Sequence, residues 1–110
     1  MILWSRVNEL RDEVGSEDFQ EVIDLFLEEV EGVIARLRED GDRSQLEQDL
    51  HFLKGSALNL GFATFSDLCQ DGERMAASGN ADDVDLSAVV AGYEQSKAAF
   101  FEGLSTHLAA

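Results

Sequence analysis

The stretch His51-Phe52-Leu53-Lys54-Gly55-Ser56-Ala57-Leu58-Asn59-Leu60-Gly61 gathers the residue types best suited to do chemistry in this chain. The sequence holds two histidines and two lysines, and one of each falls here, three positions apart, with a glycine directly behind the lysine. A neutral imidazole is nucleophilic near pH 7, so His51 suits the transient covalent holding of an electrophilic group. A phosphoryl group on that ring would add negative charge to a chain whose formal net charge is already −15. Lys54 is the local cation able to offset it. Gly55 costs a helix interior about 1 kcal/mol relative to alanine, a cost that access for a second protein would explain. Taken singly, each residue has a plainer reading. An exposed histidine or lysine on a helix is most often a solvated surface residue, and a helix glycine most often reflects packing.

The element that carries these residues decides which way they face. Placed at about 100° per residue, Leu46, Leu50, Leu53, Ala57 and Leu60 fall within an arc of roughly 80°, the stripe that must face a core. His51 lies about 140° from the middle of that stripe and is expected at the surface. Gly55 is its neighbour one turn on, Lys54 flanks it, and Leu58 lies in line two turns along. The helix is predicted to start near Ser44, with Glu47 completing a capping box, and to stop at Gly61.

The rest of the chain reads the same way. Residues 2–14 place Leu3, Val7, Leu10 and Val14 on one face of a short helix ended by Gly15. Ser16 is the expected N-cap of a second helix, with Glu17 and Asp18 in its first turn. That helix keeps Phe19, Val22, Ile23, Phe26, Val30, Val33, Ile34 and Leu37 at helical spacing for about five turns. Glu39-Asp40-Gly41-Asp42 breaks it. After Gly61, Thr64 followed by Asp67 marks another start, Phe65, Leu68, Cys69, Met75 and Ala76 form an inner face, and Ser78-Gly79-Asn80 ends it. A last helix follows Asp82, Asp83 and Asp85 and uses Leu86, Val89, Val90, Tyr93, Phe100, Phe101, Leu104 and Leu108. Four helices of bundle length plus a short extra N-terminal one predict an all-α, up-down-up-down four-helix bundle, residues 1–110 forming one domain. Gly32 and Gly72 fall inside predicted helices, where they either permit close contact or mark misplaced boundaries.

Composition narrows the function. The 110 residues carry 23 acidic and 8 basic side chains. Such a chain repels a phosphate backbone and an anionic membrane surface, so no nucleic-acid or membrane partner is expected, and basic protein surfaces are favoured. No apolar run reaches the roughly 18 residues of a membrane span. The N-terminus lacks the pattern of a secretion signal, and one cysteine allows no internal disulfide, so a cytoplasmic location is expected. Cys69 sits on an apolar face and is read as a buried structural residue. His107, in a last helical turn, is read as a surface residue, and no zinc-ligand cluster or nucleotide-binding motif is present. A chain without such a motif takes phosphate from another protein, not from ATP unaided. Trp4 is read either as a lid on the bundle end, the favoured reading, or as a partner contact.

The run from His51 to Gly61 closely resembles the signature of histidine-containing phosphotransfer (HPt) domains, roughly His-x-x-Lys-Gly-Ser/Ala-Ser/Ala-x-x-Leu-Gly. The match takes in His51, Lys54, Gly55, Ser56, Ala57, Leu60 and Gly61, extends more loosely to Phe65, Leu68, Cys69 and Glu73, and reaches back to Gly15, Phe19 and Phe26. The resemblance implies a four-helix bundle whose histidine exchanges a phosphoryl group with receiver-domain aspartates of response regulators or hybrid histidine kinases. It implies no cofactor on this chain, because the receiver carries the Mg²⁺. It further implies that His51 accepts the group through Nε2, that Lys54 steadies it and that Gly55 keeps the approach open. Glu73 stands where some members carry a glutamine that orients the histidine. A carboxylate there would accept from Nδ1–H but repel bound phosphate. An apolar docking surface is expected around His51, with Leu58, Phe62 and Phe52 as candidates, each of which could instead be covered by the N-terminal helix. Direct labelling by a histidine kinase and an inert acidic interaction module stand as the alternatives to a relay between receivers.

Overall fold

Apolar stripes with a period of 3.6 can be buried only against other stripes, and five helices do this in the computed structural model, which describes residues 1–39 and 42–107. They are α1 Trp4–Val14, α2 Phe19–Glu39, α3 Leu46–Leu60, α4 Ala63–Ala77 and α5 Leu86–His107, with a short 3₁₀ turn at Ala81–Asp83. The expected break at Asp40 and Gly41, and Leu108, lie outside the described residues. Each of α2 and α4 packs against both α3 and α5, which closes a four-helix bundle, and α1 lies across α2 and α3. The molecule is a rod 46 Å long and 21 Å across. No described helix is long and apolar enough to cross a membrane.

The predicted α3 stripe is the centre of the core. Leu46, Leu50, Leu53, Ala57 and Leu60 are all buried, as are Val30 and Ile23 of α2, Phe65 and Cys69 of α4, and Phe100 of α5. Leu27, absent from the predicted stripe of α2, is buried as well. α3 and α4 are joined by only Gly61 and Phe62. Gly61 takes a left-handed conformation, φ 77°, and its N–H returns to the α3 carbonyls of Ala57 and Leu58. A side chain there would also strike the backbone, since an added Cβ would lie 2.7 Å from the Leu3 carbonyl oxygen.

That closeness reflects a staple. Leu3 N–H donates to Gly61 O at 2.7 Å, Ala63 N–H donates to Met1 O at 3.0 Å, and Ile2 forms an antiparallel bridge with Phe62. Ile2, not the predicted Leu3, is therefore the buried residue, and Leu3 is exposed. At the far end of this contact Trp4 stacks on Phe100 and His107, with ring centroids 5.8 and 4.6 Å apart, so it does close the bundle end. Phe101, placed on the inner face by spacing, is exposed.

Three predicted helix starts are corrected. α2 begins at Phe19, not after Ser16, and Val22 N–H bonds Asp18 O. The Ser44–Glu47 capping box does not form: Gln45 holds the cap position without a side-chain bond, because Asp42 Oδ1 accepts the Ser44 N–H at 2.9 Å in a local turn. Thr64 lies inside α4, its hydroxyl accepting from the Met1 ammonium at 2.6 Å. The two interior glycines separate cleanly. A Cβ on Gly72 would press on Leu50 and Val84, whereas one on Gly32 would meet nothing within 4 Å.

Gly61→Ala should lower the urea midpoint at unchanged slope, with a loss of about 1–3 kcal/mol, because alanine must adopt the left-handed conformation and displace the Leu3 carbonyl. Wild-type stability for this variant would contradict the staple as described.

Candidate functional site

His51 projects from the outer face of α3 with 69% of its side chain exposed. The wheel reading of this residue is correct, and it follows from the burial of the leucines on the opposite side. α3 and α4 run antiparallel about the Gly61–Phe62 turn, so residues nearly equidistant from the turn come abreast. The close pass of Leu50 against Gly72 sets the separation. Residue 73 is thereby delivered beside residues 51 and 54. Glu73 Oε2 lies 3.0 Å from His51 Nδ1, and Glu73 Oε1 lies 2.8 Å from Lys54 Nζ.

One carboxylate therefore engages both the imidazole and the ammonium. Its two neighbours hold the Glu73 carboxyl below its ordinary range: the Lys54 ammonium does most, partial burial opposes it, and the His51 ring lowers it further. An ionised carboxylate only accepts, so the short contact to Nδ1 requires the hydrogen on Nδ1. In the neutral ring Nε2 then carries the free lone pair. Lys54 and Glu73 are both mostly shielded, with 23% and 20% of their side chains exposed, while His51 is open. Gly55, one turn beyond His51, is exposed, and a Cβ there would meet nothing within 4 Å.

Of the three expected docking residues, Leu58 and Phe52 are exposed, at 54% and 39%. Phe62 is not a surface residue. It is fully buried, with its ring 5.5 Å from that of Phe100 and 6.4 Å from that of Tyr93, and its backbone is covered by Ile2. The reason is local: Gly61 ends α3 and reverses the chain, so Phe62 leaves the helical face it would otherwise continue. Sequence reasoning missed the Lys54–Glu73 ion pair, for which the order of residues gives no signal, since the two lie at unequal distances from Gly61 along the chain. Cys69 is buried one turn before Glu73. Burial, helped by the Glu73 charge and opposed by Lys54, pushes its thiol up to about 12, which leaves it unreactive at neutral pH. His107 is exposed, yet it is spent stacking on Trp4. Among the described residues no group of three or more His, Cys, Asp or Glu is placed to hold a metal.

The family model of the Hpt domain matches residues 21–104, from the first turn of α2 to near the end of α5. The chain belongs to the Hpt domain family. No curated protein and no solved structure matches it. Hpt domains serve histidine phosphotransfer in two-component signalling and work with receiver domains and histidine kinases. α1, the bundle-end helix that carries Trp4, lies outside the matched region of this Hpt protein.

The Hpt site predicts an acid limb in stability. Glu73 is depressed by Lys54 first, and Glu31 on α2 is depressed by Lys97 first and by the Tyr93 hydroxyl. A carboxyl lowered in the folded state stabilises the fold above its ordinary value of 4.5 and loses that contribution as pH falls through and below 4.5. Urea unfolding followed downward from about pH 6 should show falling stability below about pH 4.5, and Glu73→Gln should flatten part of that fall. An identical acid limb in the variant would remove Glu73 from the account.

Proposed function

We propose that this Hpt protein carries a phosphoryl group on His51 Nε2 between the aspartates of receiver domains. The observation that supports this reading most directly is the short contact of Nδ1 with Glu73, which leaves Nε2 as the free nucleophile on an exposed ring. In the forward step Nε2 attacks the phosphorus of a receiver acyl phosphate. The Nε2–P bond forms, the P–O bond to the aspartate breaks, and the aspartate leaves as a carboxylate. No proton has to be removed, because the attacking nitrogen bears none. The ring keeps its hydrogen on Nδ1 and becomes a phosphorylated imidazolium, whose positive charge faces Glu73. Transfer onward is the reverse step with a second receiver.

Lys54 enters as the phosphoryl group arrives. The ammonium and the ring share one carboxylate, so a short swing moves Lys54 from Glu73 Oε1 towards the phosphoryl oxygens. This also answers the objection that Glu73 would repel phosphate: the anion faces the opposite side of the ring from Nε2 and brings a cation with it. Gly55 leaves space for the partner. The chain needs no cofactor of its own in this scheme, and the receiver supplies the Mg²⁺ and the activated phosphate.

Incubation with a phosphorylated receiver should label the protein with an acid-labile, base-stable adduct. The label should vanish in His51→Gln, and Lys54→Ala should slow transfer about tenfold, equivalent to about 1.4 kcal/mol, with the bundle still folded. An unlabelled wild-type protein that binds its partners equally well before and after His51→Gln would make it an inert interaction module instead. Labelling by a kinase alone, at rates no receiver approaches, would place it directly downstream of that kinase.

A further inference from the structure

Eight basic side chains serve a chain of net charge −15, and three of them line one seam of the bundle, between α2 and α5. These two helices pack more sparsely than any other neighbouring pair in the bundle. Their seam opens near the C-terminal end of α2 into a groove of about 550 Å³, a size typical of small-molecule pockets. Leu37, Leu86 and Val90 give this wide end its apolar surface. The groove runs on between the helices as a smaller stretch of about 260 Å³, lined by Ile34 and Tyr93 among others, and the two stretches share Arg38, Val90 and Glu94. None of these residues belongs to the His51 site, which α3 and α4 build.

The charges at the two ends differ in what is left for a ligand. At the narrow end Glu31 Oε2 accepts from Lys97 Nζ and from the Tyr93 hydroxyl, both at 2.6 Å, so the charge there is already paired. At the wide end Arg43 is half-buried, and its Nη1 donates to the carbonyls of Ala81 and Val84 at 2.7 and 2.8 Å. Those bonds tie the segment before α3 to the turn before α5 and hold the guanidinium in place. They use one nitrogen only. Nε and Nη2 form the edge of the fork that can grip a carboxylate with two parallel N–H groups, and among the described residues neither has a partner. Arg38, exposed on the same groove, makes no hydrogen bond or ion pair among the described residues. The first turn of α5 is not the anion site, because Asp85 Oδ1 already takes the Ala88 N–H at 3.1 Å. Against the two arginines the wide end sets a single acid, the exposed Glu94, which leaves one net positive charge.

We infer that this groove binds a small amphiphilic monoanion, a carboxylate on an unbranched apolar chain. The Nε–Nη2 edge of Arg43 takes the carboxylate in two hydrogen bonds, and Arg38 adds a second cation. The chain lies between the helices along Leu37 and Val90, towards Tyr93. An excess of one positive charge matches a single negative charge, and a dianion would add to the repulsion of an already acidic chain. Arg43 is tethered before any ligand arrives, so little ordering of that side chain is needed on binding. The site is separate from phosphotransfer at His51 and does not depend on that reading.

Octanoate, kept below the concentration at which it forms micelles, is the probe. Titrated into the isotope-labelled full chain at neutral pH, it should shift the amide resonances of residues 34–38 and 86–97 in a saturable way. Acetate, the head alone, and octanol, the chain alone, should each bind at least about tenfold more weakly. Arg38→Glu changes an exposed residue, so the helical circular dichroism should stay as in the wild type while octanoate affinity falls about tenfold or more. Arg74→Glu makes the same change in net charge at an exposed position on α4, off the groove, and should leave the affinity at its wild-type value. Shifts that never saturate, octanol binding as tightly as octanoate, or a folded Arg38→Glu variant with wild-type affinity would each overturn the inference. Equal losses from the two arginine variants would do the same, by reducing the effect to overall charge. Tighter binding of octyl phosphate than of octanoate would overturn the assignment of a carboxylate head.

Discussion

The close approach of α3 and α4 is the constraint on which the site depends. Gly61 reverses the chain in a conformation that only glycine adopts cheaply, and Gly72 has no side chain to hold Leu50 away. Together they set the two helices at a separation where a glutamate on one reaches a histidine and a lysine on the other. A larger residue at 72 would push Leu50 aside and lengthen both contacts of Glu73. The apolar stripe of α3 does the complementary work: it is buried on one side so thoroughly that His51 has no direction but outward.

Electrostatics then divide the labour within the site. A chain with net charge −15 is a poor place to add a phosphoryl group. Long-range repulsion is damped by salt over a Debye length of about 8 Å, so the groups in contact with the ring matter most. Glu73 and Lys54 form a nearly neutral pair beside the histidine, shielded enough for their attraction to hold them in place. In the proposed transfer the pair would respond to an arriving anion by moving its cation, and the carboxylate left behind would face a ring that has itself become positive.

Much of this was legible in the sequence, and the failures share a cause. The α3 stripe, the outward His51, the end of α3 at Gly61 and the lid made by Trp4 all follow from helical periodicity or local conformational preference. Phe62 was misread because its environment comes from Ile2, Tyr93 and Phe100, residues distant in sequence. Thr64 was misread because its hydroxyl is used by the Met1 ammonium, a partner 63 residues away. Ser44 lost its capping role to the neighbouring Asp42, a competition between two short polar side chains that composition does not resolve. The Lys54–Glu73 pair needed the register of α3 against α4, which is set by Gly72 and Leu50 and by nothing in the motif.

The stacking of Trp4 between Phe100 and His107 has an optical consequence. It is the sole tryptophan, and it sits at the seam between α1 and the end of α5. Its emission is therefore a private signal of whether α1 is seated. Loss of that signal ahead of helical circular dichroism would reveal α1 peeling away while the bundle persists, and coincident loss would reveal one cooperative unit.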